Sequence, residues 1–411
     1  MTGPIELREH ARPTEWAVDD ATGRALAASG FIEATPDPYL PGTWRLAARN
    51  KVGAVTVAVP GVEPVTVRII PKISINRLFF LLGYALNPKG WRNDQIGVAE
   101  YRDLVPAFAH AFERQADRAL RQGLLQGYRA TRESALVVRG RICESEQIRR
   151  RYGLTIPVEL EYDEFTADIP ENRLLRAAAE RLLRLPDIPA PVRTRLLHQR
   201  ARLADVTSLV RGHHLPAWRP TRLNARYQQA LHLATLVLRS ASIDHLAGAV
   251  RVDGFLFDMN KIFEDFVTIA LRKALSEAGQ GATDRRTVLQ ARHHFDEADT
   301  VLMKPDLVWH DGTGSPLAVA DAKYKAEKPN GFPGADLYQL LAYCTVLGLH
   351  DGHLIYAKGE AAHAAHRVHN TEIRIHQHAL DLDQASDHLL AEIRAIASAM
   401  AAGGSGLPPR A

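Results

Sequence analysis

The chain has 411 residues, 46% hydrophobic and 24% charged, with 51 lysines and arginines against 47 aspartates and glutamates. That length calls for two or three domains, the composition is that of a folded soluble protein, and the net charge of +4 permits a nucleic-acid partner without requiring one. Its two cysteines, Cys143 and Cys344, exclude a disulfide framework and any four-cysteine zinc or iron–sulfur site. No basic-then-apolar leader opens the chain and no apolar run reaches the ~18 residues of a membrane span, so a cytoplasmic protein with no membrane partner is expected.

From Pro4 to about Ser74 the signals are mostly those of strands. The clearest is "AVTVAVPGVEPVTVRII", Ala54 to Ile70, a hairpin with Pro-Gly and Glu-Pro at its bend. A short apolar helix, "RLFFLLGYAL", follows "PKISIN". From Tyr101 to Arg129 the pattern turns helical, with Leu104, Phe108 and Phe112 at four-residue spacing. Further helices are expected over Glu171 to Leu185, Pro191 to Leu203 and Ala225 to Ser242, separated by proline-rich connectors. Gly254 to Lys358 alternates helix and strand, and the Ala/Gly/Pro-rich end has little to bury. The expected organisation is therefore α/β and multi-domain: a β-rich N-terminal domain (1–98), a mainly helical middle (99–250), an α/β domain (251–396) and a disordered tail (397–411).

The chemistry concentrates in "KPDLVWHDGTGSPLAVADAKYK", Lys304 to Lys325. "LAVADAKY" is apolar on both faces up to Ala320, as a central strand is, and then becomes charged on the face carrying Asp321 and Lys323. "HDGTGS" has the pairs of a turn, so the two arms read as an antiparallel hairpin. A turn centred between Thr313 and Gly314 puts Asp306 opposite Asp321, on one face and with Cβ atoms about 5 Å apart. Two carboxylates that close at the border of a core need a cation or a shared proton. A hard divalent ion with oxygen ligands, such as Mg²⁺, answers this most simply. Lys323, one pleat further on, is placed to meet a substrate anion. Taken alone, D-x-K would be a strand end with ordinary surface charges; the Pro-Asp at hairpin spacing sets it apart.

Two helices flank this hairpin. "DMNKIFEDFVTIALRKAL" gathers Met259, Phe263, Phe266, Val267, Ala270 and Ala274 on one arc, with Glu264 at the edge of that arc. "ADLYQLLAYCTVLGL" has a core stripe of Leu337, Leu340, Leu341 and Cys344, and a second, polar row of Asp336, Gln339 and Tyr343.

In that order, Glu264, Pro305-Asp306, Asp321-Ala322-Lys323 and Gln339 resemble the PD-(D/E)XK nuclease superfamily. "FLFDMNKIFEDFV", "KPDLV", "VADAKYK" and "ADLYQLLAY" are more closely similar to the McrC family, the nuclease subunit of McrBC-type modification-dependent restriction systems. "VRIIPKIS", "RQGLLQGYRATRESALVVRGRI" and "EYDEFTADIPENRLL" extend the resemblance over most of the chain. Short motifs of this kind arise singly by chance, and it is the ordered set that is specific.

The resemblance implies a PD-(D/E)XK fold for the C-terminal domain and cleavage of DNA. Asp306 and Asp321, with the backbone carbonyl of Ala322, would bind Mg²⁺, with Mn²⁺ able to substitute, and Glu264 would complete the site directly or through water. Lys323 would orient the attacking water or stabilise charge on the pentavalent phosphorus, and Gln339 would position the lysine or a DNA phosphate. The implied partners are double-stranded DNA and a McrB-like AAA+ GTPase hexamer that reads the modified base, its hydrolysis stimulated by this subunit. The chain has no G-x-x-x-x-G-K-[ST] loop, so the motor must be another chain. Docking into the ring is assigned to the N-terminal region with its Ala54 to Ile70 hairpin.

Basic clusters at Arg149, Arg150 and Arg151 and in "VRTRLLHQRAR" read as solvated helix faces or a phosphate track. Neighbouring histidines, His213-His214 and His293-His294, diverge in helix and strand alike and do not read as metal ligands. Two other functions compete: a non-cleaving, GTPase-activating bridging subunit, and a nuclease of the CRISPR-adaptation or recombination type. The first leaves the repelling carboxylates unexplained, and relatives of the second commonly carry a four-cysteine cluster that this chain lacks.

Overall fold

The alternating segments at the start of the chain do form strands, but they are shared between two sheets, one of which is completed by residues far downstream. The computed structural model describes residues 3–88, 101, 103–152, 154–210, 214–240, 251–278, 286–290, 292–326, 334–358 and 363–403. Its architecture is mixed α/β with several sheets. Packing divides the chain into two units, one of Met1–Asn93, Ile243–Val252 and Leu256–Ala411, the other of Asp94–Ser242 and Asp253–Phe255.

The first unit begins with β1 (Ile5–Arg8), β2 (Thr14–Ala17), α1 (Asp20–Ser29), β3 (Ile32–Pro36), β4 (Thr43–Ala48), β5 (Lys51–Ala58), β6 (Val65–Ile70) and α2 (Ile75–Leu86). The β5–β6 hairpin has the expected register, Val57 opposite Val65. β1 lies parallel to β6, and the distant strand β10 (Arg251–Asp258) completes the order β1-β6-β5-β10. Strand β5 thus has neighbours on both edges, and Val52, Ala54, Val55 and Val57, drawn from both of its faces, are all buried.

In the second unit α3 (Leu104–Leu120) leads to β7 (Gly127–Ala135), β8 (Arg141–Ile142), α4 (Glu144–Arg151) and β9 (Val158–Thr166), followed by α5 (Pro170–Leu182), α6 (Ala190–Arg202) and α7 (Gln228–Arg239). Helices α5, α6 and α7 stand close to where their apolar spacing puts them, whereas α3 stops at Leu120, short of the expected Arg129, and the chain enters β7 at Gly127. Between them lies an antiparallel sheet, β7-β9-β8, inside a segment whose sequence reads as mainly helical. Neither face of β7, "GYRATRESA", is apolar. Cross-strand polar pairs hold it instead: Arg132 donates to Glu161 at 3.2 Å, Arg129 to Glu164 at 3.1 Å and Ser134 to Glu159 at 2.6 Å.

The remainder of the first unit carries α8 (Met259–Ala278), β11 (Arg286–Leu289), β12 (His293–His294), β13 (Leu302–Met303), β14 (Leu307–His310), β15 (Pro316–Ala326), α9 (Gly334–Leu347), β16 (Asp351–Lys358), β17 (His363–Arg367), β18 (Arg374–Ala379) and α10 (Ser386–Gly403). Six strands form a sheet in the order β11-β14-β15-β16-β18-β17, antiparallel from β11 to β15, parallel from β15 to β18 and closed by antiparallel β17. Helix α9 makes the crossover between parallel β15 and β16 and buries Leu340 and Cys344 against Val308, Val319, Leu354 and Ile375. It approaches so closely that a Cβ at Gly352 would lie 2.6 Å from Cys344 Sγ. All six apolar residues expected on the α8 arc are buried. Phe266 meets Phe80 and Tyr84 of α2 edge-on, with ring centroids 5.6 Å away in each case. Residues 397–403 depart from the expected disorder, because α10 runs on to Gly403 with Ala397 and Met400 extending its buried stripe, and the rest of the expected tail, 404–411, lies outside the described residues.

Candidate active site

The ladder between β14 and β15 pairs Leu307 with Ala320, Val308 with Val319 and Trp309 with Ala318. Continued by one step, this register sets Asp306 opposite Asp321, the arrangement that the turn chemistry predicts. Only the pair nearest the turn slips, at a bulge between Trp309 and His310. Both carboxylates are interior, Asp306 at 9% and Asp321 at 2% of full exposure. Asp306 Oδ2 accepts the backbone N–H of Ala322 at 2.8 Å. A strand residue directs its N–H and C=O to the same flank, so the Ala322 carbonyl also faces the Asp306 side.

Burial, and then the charge of Asp321, pushes the Asp306 carboxyl well above the usual carboxylate range. Asp321 is raised as well, chiefly by burial, although Lys323 pulls in the other direction. The Lys323 ammonium lies against Asp321 Oδ2. Burial alone would lower the Lys323 pKa, but the negative charges of Asp321, Asp306 and Asp336 outweigh it, and the net shift is upward. Asp321 Oδ2 is nevertheless a buried oxygen without a well-formed hydrogen bond.

Glu264 projects from the first turns of α8, partly buried. Its Oε1 accepts from the Gln290 side-chain amide and lies 3.3 Å from Lys261 Nζ. Gln290 itself follows β11, donates its backbone N–H to the Asp306 carbonyl at 2.9 Å and has a left-handed φ of +49°. No motif in the sequence singles out Gln290, which follows the short, half-polar strand β11 and is separated from Pro305-Asp306 by β12 and β13. Gln339 is exposed and donates to Tyr343 Oη at 2.8 Å, one turn on, rather than to Lys323. Asp336, expected only as part of a polar row, is buried at 5% exposure. It pairs with Lys325 Nζ at 2.7 Å and accepts from Tyr356 Oη at 3.2 Å, so its charge acts on Asp321 and Lys323.

On the opposite face of β15, Tyr324 packs on Phe263 of α8, ring centroids 5.9 Å apart. Its hydroxyl donates at 3.2 Å to the buried carboxylate of Glu9, which also accepts the Lys72 N–H at 3.1 Å. The arm that carries Asp321 and Lys323 is thereby tied to the end of β1.

Among the described residues no three His, Cys, Asp or Glu side chains are gathered closely enough to hold an ion by themselves. The oxygen donors on offer are two opposed aspartates and the Ala322 carbonyl, with Glu264 in the adjoining helix. Of the basic clusters, Arg149 and Arg150 pair with Glu146 at 2.7 and 2.9 Å, Arg151 pairs with Glu159 at 3.1 Å and Arg195 with Glu113 at 2.9 Å. Much of their charge is met within the protein. His213 lies outside the described residues.

The family described as McrBC 5-methylcytosine restriction system component matches residues 46–357. A chain in the refined half-complex of the tetradecameric assembly of Thermococcus gammatolerans McrB AAA+ hexamers with bound McrC superposes with a TM-score of 0.58 at 18% identity. That match covers 97% of this chain and 100% of the other. A chain of the cryo-EM structure of the Thermococcus gammatolerans McrBC complex gives a TM-score of 0.40 at 20% identity over 66% of this chain and 88% of that one, too loose a likeness to support an argument. No curated protein matches.

Proposed function

Because the chain belongs to the McrBC 5-methylcytosine restriction system component family and is of McrC type, we propose that it is the DNA-cleaving subunit of such a system, a Mg²⁺-dependent endonuclease whose C-terminal α/β part is a PD-(D/E)XK domain. The observation that carries this reading is the opposed, buried pair Asp306 and Asp321 with Lys323 beside it. An interior that holds two repelling carboxylates, one with an oxygen lacking a well-formed hydrogen bond, is suited to a hard cation. Asp306, Asp321 and the Ala322 carbonyl would hold it, with Mn²⁺ able to replace Mg²⁺, and Glu264 would join directly or through water. When bound there, the ion supplies Lewis acidity toward a phosphodiester oxygen and toward water.

The chain's own residues supply the rest. Lys323 remains an ammonium, since its pKa is raised, and is held at the strand end by Asp321. From there it orients the attacking water or stabilises the extra negative charge on phosphorus as the P–O bond breaks. Gln339, exposed one turn before buried Tyr343, is placed to meet a DNA phosphate.

With no phosphate-binding loop of its own, the subunit depends on a McrB-like AAA+ GTPase hexamer for translocation and target choice, and it stimulates that GTPase. Two surfaces compete for docking. At the β5–β6 tip, Pro60, Gly61, Glu63 and Pro64 are exposed while the strands below are packed. In the second unit, Tyr128 and Phe165 of the β7–β9 pair and Leu136 and Val137 just after β7 are exposed apolar side chains. The deciding experiment is Mg²⁺-dependent cleavage of modified DNA by the reconstituted complex. Asp321→Ala is expected to abolish cutting while GTP turnover persists, and wild-type cutting by that variant would refute the nuclease assignment.

A further inference from the structure

We propose that Gln290 is a positioning residue for the metal site, holding Glu264 of α8 in place against the Asp306 strand. The proposal rests on the nuclease reading above and adds a residue to it. One residue makes both connections: its side-chain amide donates to Glu264 Oε1, and its backbone N–H donates to the Asp306 carbonyl at 2.9 Å. These bonds couple the acid on the helix to the acid on the hairpin, where a shift of a few tenths of an ångström disturbs a coordination shell.

The backbone at Gln290 supports a functional role. A φ of +49° is disfavoured for a residue with a Cβ, and such conformations persist where the surroundings over-determine them, often at functional sites. Glycine or asparagine would sit there more comfortably. The long amide, though, is the side chain that reaches Glu264 from this position.

The chemistry fits as well. A neutral amide holds a carboxylate without cancelling its charge, so Glu264 keeps its full attraction for a cation. Lys261 also approaches Oε1, at 3.3 Å, but it is half-exposed and sits closer to Asp265, at 2.8 Å. Both contacts fall on Oε1.

Gln290→Asn in the full-length chain tests this. Asparagine tolerates left-handed φ and keeps the N–H that meets Asp306, but its arm is one carbon too short for Glu264. The melting temperature without metal should be unchanged, while the Mn²⁺ dissociation constant, measured by calorimetry, should rise about 10-fold. On a Glu264→Gln background the same change should have no further effect, because the two residues act as one unit. Gln290→Gly, which relieves the backbone and removes the amide, should weaken Mn²⁺ binding equally. Wild-type Mn²⁺ affinity in Gln290→Asn, or a full additive loss on the Glu264→Gln background, would overturn the proposal. Asp321→Ala runs in parallel: if it loses Mn²⁺ binding while Gln290→Asn does not, only the role of Gln290 falls. If Asp321→Ala binds Mn²⁺ as the wild type does, the metal-site reading falls with it.

Discussion

Asp306 and Asp321 face each other one step past the last paired residues of their hairpin, where the ladder has ended and Asp306 takes up the N–H of Ala322 in place of a strand neighbour. A carboxyl whose pKa is raised on folding stabilises the folded state fully below its unfolded pKa and loses that contribution as pH rises through the folded value. Both aspartates are raised. In EDTA, stability should therefore decline as pH climbs from the ordinary carboxyl range through the elevated one. Asp306→Asn should flatten this slope and raise the melting temperature above the transition by roughly 1–3 °C, while abolishing cleavage. Melting curves across pH for both proteins check it, and parallel slopes would show that the Asp306 carboxyl is not raised on folding.

Lys323→Ala removes the ammonium placed against Asp321 Oδ2 and should lower the cleavage rate by at least about 100-fold. Lys323→Arg should not rescue it, because a planar guanidinium cannot take the place of a compact ammonium. GTP turnover by the partner should stay near the wild-type level in both variants. A paired assay of cutting and turnover reads this directly, and loss of GTPase stimulation in Lys323→Ala would mean that the two functions are not separable.

The docking alternatives are distinguished by two variants. Shortening the Pro60 to Pro64 tip disturbs only exposed turn residues. Tyr128→Ser with Phe165→Ser removes an exposed aromatic pair whose ring centroids are 5.2 Å apart. Exposed aromatics are the residues most enriched among binding hot spots, so the double variant is expected to weaken association with the GTPase ring by 10-fold or more, on the order of 2 kcal/mol. The tip deletion should have the smaller effect. Binding measured by biolayer interferometry settles the order, and the reverse ranking would return docking to the N-terminal hairpin.

Tyr324→Phe removes the hydroxyl that donates to Glu9, a carboxylate at 1% exposure whose pKa is pushed up by burial. Leaving a buried acceptor short of a donor costs about 1–3 kcal/mol. Urea unfolding should show a loss in that range, with the cleavage rate of the folded protein retained. An unchanged midpoint would mean that Glu9 finds another donor.

Local periodicity carried much of the fold. Period 2 and a two-sided turn signal pinned the hairpin register, since a slip of one residue would have put Asp321 and Lys323 on the other face of β15. The 3.6 period located the buried arcs of α8 and the long helices of the second unit. Only the tertiary structure decided where polar groups end up when their partners are remote in sequence. Asp336 is buried because Lys325 and Tyr356 converge on it, and Glu9 because Tyr324 meets it from more than three hundred residues away. β10 completes a sheet begun by the first strands, and the β7–β9 pair is bridged by cross-strand charges that no apolar alternation along β7 announces. The bond from Gln290 to Glu264 depends on a backbone angle that no side-chain pattern encodes. Hydrophobic spacing records the free energy of burying one face of one element. A buried polar contact is stable only when both partners arrive together, and that condition exists only in the folded chain.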